Sequence, residues 1–160
     1  LPMQTAIIFA TRHGCTEKCA LQLKNGIQNS VDVINLKKSK KVNLTQYDTV
    51  LIGGSIHAGK VQSKIRKFCE DNLSTLMTKR VGLFLCCMEE GDNAEKQFSE
   101  AFPPELRNHA IATEIFGGEF NFDRMNFIEK MIIKKIAHVD HSVSKIDEEK
   151  IVDFVHAMND

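Results

Sequence analysis

Three short stretches of this chain carry residue types suited to holding a small ligand. The first is Thr11-Arg12-His13-Gly14-Cys15-Thr16, where two hydroxyls, a glycine, an arginine and a histidine stand directly ahead of a helical pattern. A helix N-terminus presents amides without intrahelical partners and the positive end of the peptide dipole, so it attracts an anion. Gly14 lets the backbone approach that anion closely, and the threonines add hydroxyl donors. The chemistry implied is phosphate binding, although a Thr/Gly turn before a helix also serves as a plain cap. The second stretch, Gly53-Gly54-Ser55-Ile56-His57-Ala58-Gly59, reads as a loop whose three glycines permit tight turning beside a flat ligand. The third, Cys86-Cys87-Met88-Glu89-Glu90-Gly91-Asp92, is again a polar loop with a glycine. Neither G-x-G-x-x-G nor G-x-x-x-x-G-K-[ST] occurs, which argues against a dinucleotide fold and against an NTPase.

Individual side chains carry further options. His57 titrates near neutral pH and can supply or take a proton; as a surface loop histidine it needs no function. Arg12 and His13 offset a phosphate dianion or simply face water. Cys15 at a helix N-terminus has the setting of a lowered thiol pKa, or contributes only its amide. The five cysteines, at 15, 19, 69, 86 and 87, include no C-x-x-C pair and no metal-ligand spacing, so they read as reduced thiols. Three of them fall on apolar faces, as small hydrophobes do. His138 and His141 form an H-x-x-H pair without a third ligand, and no metal is expected. No Ser/His/Asp constellation supports hydrolysis.

These stretches need elements to position them. Residues 4–10 form a short apolar run that reads as a buried strand, and 31–36, 50–54, 80–87 and 110–116 read as four more, the first of these at an edge. Spacings of three and four mark helices through Ala20, Leu23 and Ile27, then through Ile65, Phe68, Cys69, Leu73 and Leu76. A weaker pattern, Ala94, Phe98 and Ala101, stops at Pro103-Pro104. A last helix carries Ile151, Phe154, Val155 and Met158 on one stripe behind the N-cap Asp147. Strands alternating with helices imply parallel crossovers and a sheet covered on both faces, with ligands at the carboxyl ends of the strands. The three ligand-type stretches then share one sheet edge and leave a flavin-sized slot, phosphate at the first and ring between the other two. Residues 117–146 exceed a normal connection; inside them Met125, Ile128, Met131, Ile132, Ile133 and Ile136 form an apolar stripe flanked by Arg124, Lys130, Lys134 and Lys135.

Composition narrows the classes. The 160 residues, 42% hydrophobic and 26% charged, suit one globular domain over 3–160, with Leu1-Pro2 ahead of Met3 reading as a cloning remnant. Lysine plus arginine (21) equals aspartate plus glutamate (21), so no nucleic-acid partner is expected. The apolar runs are too short to span a bilayer, and the expected location is cytoplasmic.

The T-x-x-G-x-T spacing, the G-G-S-I-H-A-G stretch and above all Phe120-Asn121-Phe122-Asp123-Arg124-Met125-Asn126-Phe127-Ile128-Glu129-Lys130-Met131-Ile132-Ile133-Lys134 resemble the flavodoxin-like protoporphyrinogen oxidases, over essentially the whole chain. The resemblance implies a flavodoxin-like α/β/α sandwich with a five-stranded parallel sheet in the order 2-1-3-4-5 and a helical insert before the last helix. It implies one FMN, its phosphate held by Thr11, Arg12, His13, Gly14, Cys15 and Thr16. One side of the ring would meet Ser55, Ile56, His57, Ala58 and Gly59, the other Cys87, Met88, Glu89, Glu90, Gly91 and Asp92. It further implies six-electron oxidation of protoporphyrinogen IX with a quinone as acceptor. The basic, apolar residues 120–137 suit a membrane surface, an anionic porphyrin, or plain packing on the domain. An electron-carrying flavodoxin docking on redox proteins is the alternative. Such carriers are typically acidic and stack aromatics on the flavin; this chain is neutral, has no Trp, and has its one Tyr at position 47.

Overall fold

The computed structural model describes residues 2–39 and 41–160. Five strands form a parallel sheet: β1 (Gln4–Phe9), β2 (Ser30–Asn35), β3 (Thr49–His57), β5 (Arg80–Cys86) and β6 (Ala112–Ile115). Their spatial order is β2-β1-β3-β5-β6, and a two-residue strand β4 (Lys60–Val61) pairs antiparallel with the end of β3. Counting parallel strands alone, this is the expected 2-1-3-4-5. The pleat explains the double covering: along β1, Ala6 and Ile8 point into one apolar layer, while Ile7 and Phe9 point into the other.

Helices α1 (Cys15–Gly26) and α7 (Glu148–Asn159) cover one face, with Leu23, Phe154 and Met158 packed on Ile7, Leu51 and Phe84. The opposite layer holds α2 (Ser63–Asp71), α3 (Leu73–Leu76), α4 (Gly91–Ala101) and α5 (Pro104–His109) over Ile8, Ile52 and Leu83. Asp147 caps α7 as its position suggests, its carboxylate accepting from the amides of Glu149 and Lys150.

Several local expectations are corrected. The stripe from Ile65 to Leu76 is two helices, broken at Asn72, whose side-chain amide donates to the Phe68 carbonyl. Pro103-Pro104 ends α4 but also starts α5, because proline fits the first helical turn, where its missing N–H is not needed. The stretch 53–59 is largely strand. Gly53 and Gly54 lie in β3 because their neighbours leave no room: a Cβ on Gly53 would stand 2.0 Å from the Phe84 ring, and one on Gly54 would stand 2.6 Å from Val61. The tight turn is confined to Ala58 and Gly59, both at positive φ (51° and 78°), in a two-residue hairpin between His57 and Lys60.

The insert after β6 carries a two-stranded antiparallel ribbon, β7 (Glu119–Phe120) with β8 (Val143–Ser144), a 3-10 turn at Phe122–Arg124, and helix α6 (Phe127–Ala137). Its base is fastened after β5, where the Cys87 amide donates to the Gly117 carbonyl at 2.9 Å, and its two ends are joined to each other by the Lys145 amide donating to the Gly118 carbonyl at 2.7 Å. No residue of α6 is buried; Phe127 and Ile136 are both 75% exposed. Among the described residues the apolar stripe therefore finds no complete partner. No helix among them is long and apolar enough to cross a membrane.

Candidate functional site

Strand order reverses between β1 and β3, so a crevice opens beyond their carboxyl ends. The 11–16 stretch lies there. Gly14 takes φ 99°, a left-handed conformation that side chains disfavour, and caps α1. The Gly14 amide donates to Thr11 Oγ1 at 2.9 Å, which closes the turn. Thr16, in the first turn of α1, is fully buried, and its hydroxyl has no hydrogen-bond partner. A buried hydroxyl left unpaired is costly, and here it sits among first-turn amides that also lack intrahelical partners.

A cavity of about 420 Å³ adjoins this loop. Thr11, Arg12, His13 and Cys15 line it from the first stretch, Ser55, Ile56, His57 and Ala58 from the second, Cys86, Cys87 and Met88 from the third. Ser55 is fixed from behind: its amide donates to Gln62 Oε1 at 3.0 Å, and the Gln62 side-chain amide donates to its hydroxyl at 2.7 Å. Gly14 and Thr16 are not among the lining residues. Gly59, Glu89, Glu90, Gly91 and Asp92 stand outside it, because the turn after β5 is short and Gly91 already begins α4.

The remaining walls come from the insert, which a reading of the three loops missed. Gly118, Glu119 and Phe120 close one end, and Met125, Asn126, Ile128, Glu129, Ile132 and Ile133 form a largely apolar side. Part of the stripe thus faces the cavity. Glu129 does two jobs through the capping box that starts α6. Its Oε1 accepts from the Asn126 amide, while its Oε2 lies 2.9 Å from both Arg12 Nε and His13 Nε2. The hydrogen bond from Arg12 is the chief reason that the Glu129 carboxyl is held below the usual carboxylate range. Arg12 and His13 are consequently engaged by a carboxylate of the insert. A different cation covers the loop: Arg124 Nη1 lies 2.5 Å from where a Cβ on Gly14 would stand. A sequence signal existed for Glu129, the N-x-x-E capping pattern; none existed for the placement of Arg124.

Titration follows these surroundings. His57 is exposed at the end of β3, but desolvation by its neighbours first, and then the charge of Arg12, lower its pKa below the usual imidazole value. His13 stands edge-on to the His57 ring, with centroids 6.3 Å apart. Cys15 is held well below the ordinary thiol value by hydrogen bonding with Cys19 and Cys86, and Lys18 adds to this. Lys18 in turn ties the insert to α1, its Nζ lying 3.1 Å from Glu119 Oε1. His138 and His141 join no group of possible metal ligands among the described residues; the one such group is Cys15, Cys19 and Cys86.

The turn thus closes on its own threonine, caps α1 with a left-handed glycine and sits at the strand reversal of the sheet. The model of the flavodoxin domain matches residues 6–147. This chain belongs to the flavodoxin domain family. A protoporphyrinogen IX dehydrogenase [quinone] of Escherichia coli K12 is 31% identical over 142 residues, covering 84% of this chain and 78% of the relative. Among solved structures, a short-chain flavodoxin associated with a bacterial microcompartment superposes with a TM-score of 0.64 at 13% identity, covering 97% of this chain and 95% of its own. A Fusobacterium nucleatum flavodoxin bound to flavin mononucleotide gives a TM-score of 0.50 at 14% identity, over 99% and 97% of the two chains. At these identities the structural likeness carries the fold.

Proposed function

We propose that this flavodoxin-family chain is an FMN-dependent oxidoreductase that takes electrons from a porphyrinogen and passes them to a quinone. The observation that carries the cofactor is the Thr16 hydroxyl, buried and partnerless in the first turn of α1, next in the chain to Cys15, which lines the cavity. A phosphate there completes it. Thr11, Gly14, Thr16 and the first-turn amides would hold the phosphate, and Arg124 would offset its charge where Arg12 and His13 are already spent on Glu129. Ser55, Ile56, His57 and Ala58 would bound one side of the ring, Cys87 and Met88 the other. When bound, FMN supplies the electron and hydride chemistry, and the protein supplies position and electrostatics.

The substrate assignment rests on the Escherichia coli relative and on the insert. Ile128, Ile132 and Ile133 give an apolar wall for a macrocycle, and Lys130, Lys134 and Lys135 stand on the same helix to meet propionates. His57, at the cavity, offers a ring nitrogen that can accept a proton as the substrate is oxidised. The exposed Phe127, Met131 and Ile136, interleaved with those lysines, suit contact with the membrane surface in which quinones dissolve.

The test is anaerobic mixing of FMN-loaded protein with protoporphyrinogen IX and a menaquinone analogue. Quinone-dependent appearance of porphyrin fluorescence supports the assignment. Absence of porphyrin, with rapid reduction by a flavodoxin reductase instead, replaces it with an electron carrier; a protein that stays colourless after loading removes the flavin itself.

A further inference from the structure

Three of the cysteines meet, although nothing in their spacing joins them. Cys15 and Cys19 lie one turn apart on one face of α1, and Cys86 is the last residue of β5. Their Sγ atoms all lie within 4.8 Å of one another, and those of Cys86 and Cys19 are 3.6 Å apart. The three residues are 7%, 1% and 2% exposed in chain order. Cys15 and Cys86 nevertheless line the cavity, so the triangle is dry on its far sides and open on one.

The donor set decides the chemistry. No carboxylate or imidazole belongs to the group, which excludes calcium and magnesium and selects a thiophilic ion. Tetrahedral zinc–thiolate bonds of about 2.3 Å set the sulfurs about 3.8 Å apart, so even the widest pair closes with about 1 Å of side-chain movement. Three protein ligands and one open side match the zinc sites that keep an exchangeable fourth position. A divalent ion with three thiolates leaves one net negative charge, which faces the N-terminal dipole of α1 and Lys18.

We infer that Cys15, Cys19 and Cys86 form a three-thiolate site for a thiophilic divalent cation of the zinc class, its fourth position open to the cavity. Each Sγ binds the ion as the thiolate, any proton that a thiol still carries leaving to solvent, and no electron moves. The three thiols make the site whether or not a ligand fills the cavity; only access to the fourth position depends on that ligand.

The experiment uses the full chain, reduced with a phosphine, and Zn(II) in competition with a chromophoric chelator. One ion per chain is expected, with the affinity falling at least about 100-fold in Cys19→Ala and unchanged in Cys69→Ala. Cys19→Ser, which keeps the side-chain size, should lose the ion equally. Co(II) added to the unmutated chain should show charge transfer from three thiolates and tetrahedral ligand-field bands, a readout that no folding defect can mimic. The inference is overturned if the chelator strips the ion completely, if Cys19→Ala retains it, if the Co(II) spectrum shows no thiolate ligation, or if His138→Ala with His141→Ala abolishes binding instead.

Discussion

Replacing Thr16 with valine separates two consequences of one hydroxyl, and they have opposite signs. Thr16 is fully buried and its Oγ1 lacks a partner. Valine has nearly the same shape and a similar helix propensity, so packing and the first turn of α1 survive the change. A buried, unpaired hydroxyl costs about 1–3 kcal/mol, and in a domain of this size each kcal/mol moves the melting midpoint by about 2–4 °C. The ligand-free variant should therefore melt about 2–12 °C above the parent. With FMN the balance reverses. A hydrogen bond to a charged group is worth about 1.5–3 kcal/mol, which weakens FMN binding by roughly 10- to 150-fold. Riboflavin has the same ring without the phosphate, so its affinity should stay within about twofold. Differential scanning fluorimetry of the ligand-free protein and quenching of flavin fluorescence on titration read the two effects separately. A variant that melts lower when ligand-free, or that loses riboflavin and FMN alike, would refute a phosphate at this hydroxyl.

Arg124→Gln should weaken FMN about tenfold while sparing riboflavin, and the loss should shrink at high salt because the guanidinium over Gly14 is exposed; an unchanged ratio of the two affinities assigns the phosphate to other groups. Gly53→Ala forces a methyl into the Phe84 ring, which Phe116 stacks at 5.4 Å and Phe154 meets edge-on at 6.0 Å. Overpacking of this kind costs about 1–3 kcal/mol, so urea unfolding should show a lower midpoint at unchanged slope. Glu129→Gln should raise amide hydrogen exchange across 127–137, since the carboxylate that joins α6 to Arg12 and His13 is gone. The same exchange should rise in the parent on acidification. The Glu129 pKa is lowered in the fold, so its contribution is complete above the ordinary carboxylate range and is lost as pH falls through the lowered value. Exchange that is flat across that range would show that Glu129 does not hold the insert.

How far the sequence could be read depends on how local each cause is. β1 and β5 are legible because strands covered on both faces leave unbroken apolar runs, and Thr11 to Thr16 is legible because a helix cap is settled within six residues. The loop reading of 53–59, which overlaps the end of the strand read over 50–54, misleads for the complementary reason. Glycine signals a turn when the need is a positive φ, but here the need is space for Phe84 and Val61, residues 31 and 7 positions away. Pro104 misleads in the same way, since its effect on a helix depends on whether it falls inside or at the first turn.

The site divides along this line. The half proposed to grip an anion is built from consecutive residues and is visible from their order alone. The half that closes the cavity depends on pairings such as Arg12 with Glu129, 117 positions apart, and Lys18 with Glu119, 101 positions apart. No periodicity encodes those. They also make the insert part of the proposed ligand site, because its Glu129 engages Arg12 and His13 and its Arg124 stands over Gly14. A flavodoxin lacking this segment would keep the anion grip and lose the apolar wall. On the proposed function, what sets this chain's chemistry apart from that of a simple carrier resides in residues 117–146, and exchanging them should change what a bound flavin reacts with while leaving its phosphate held.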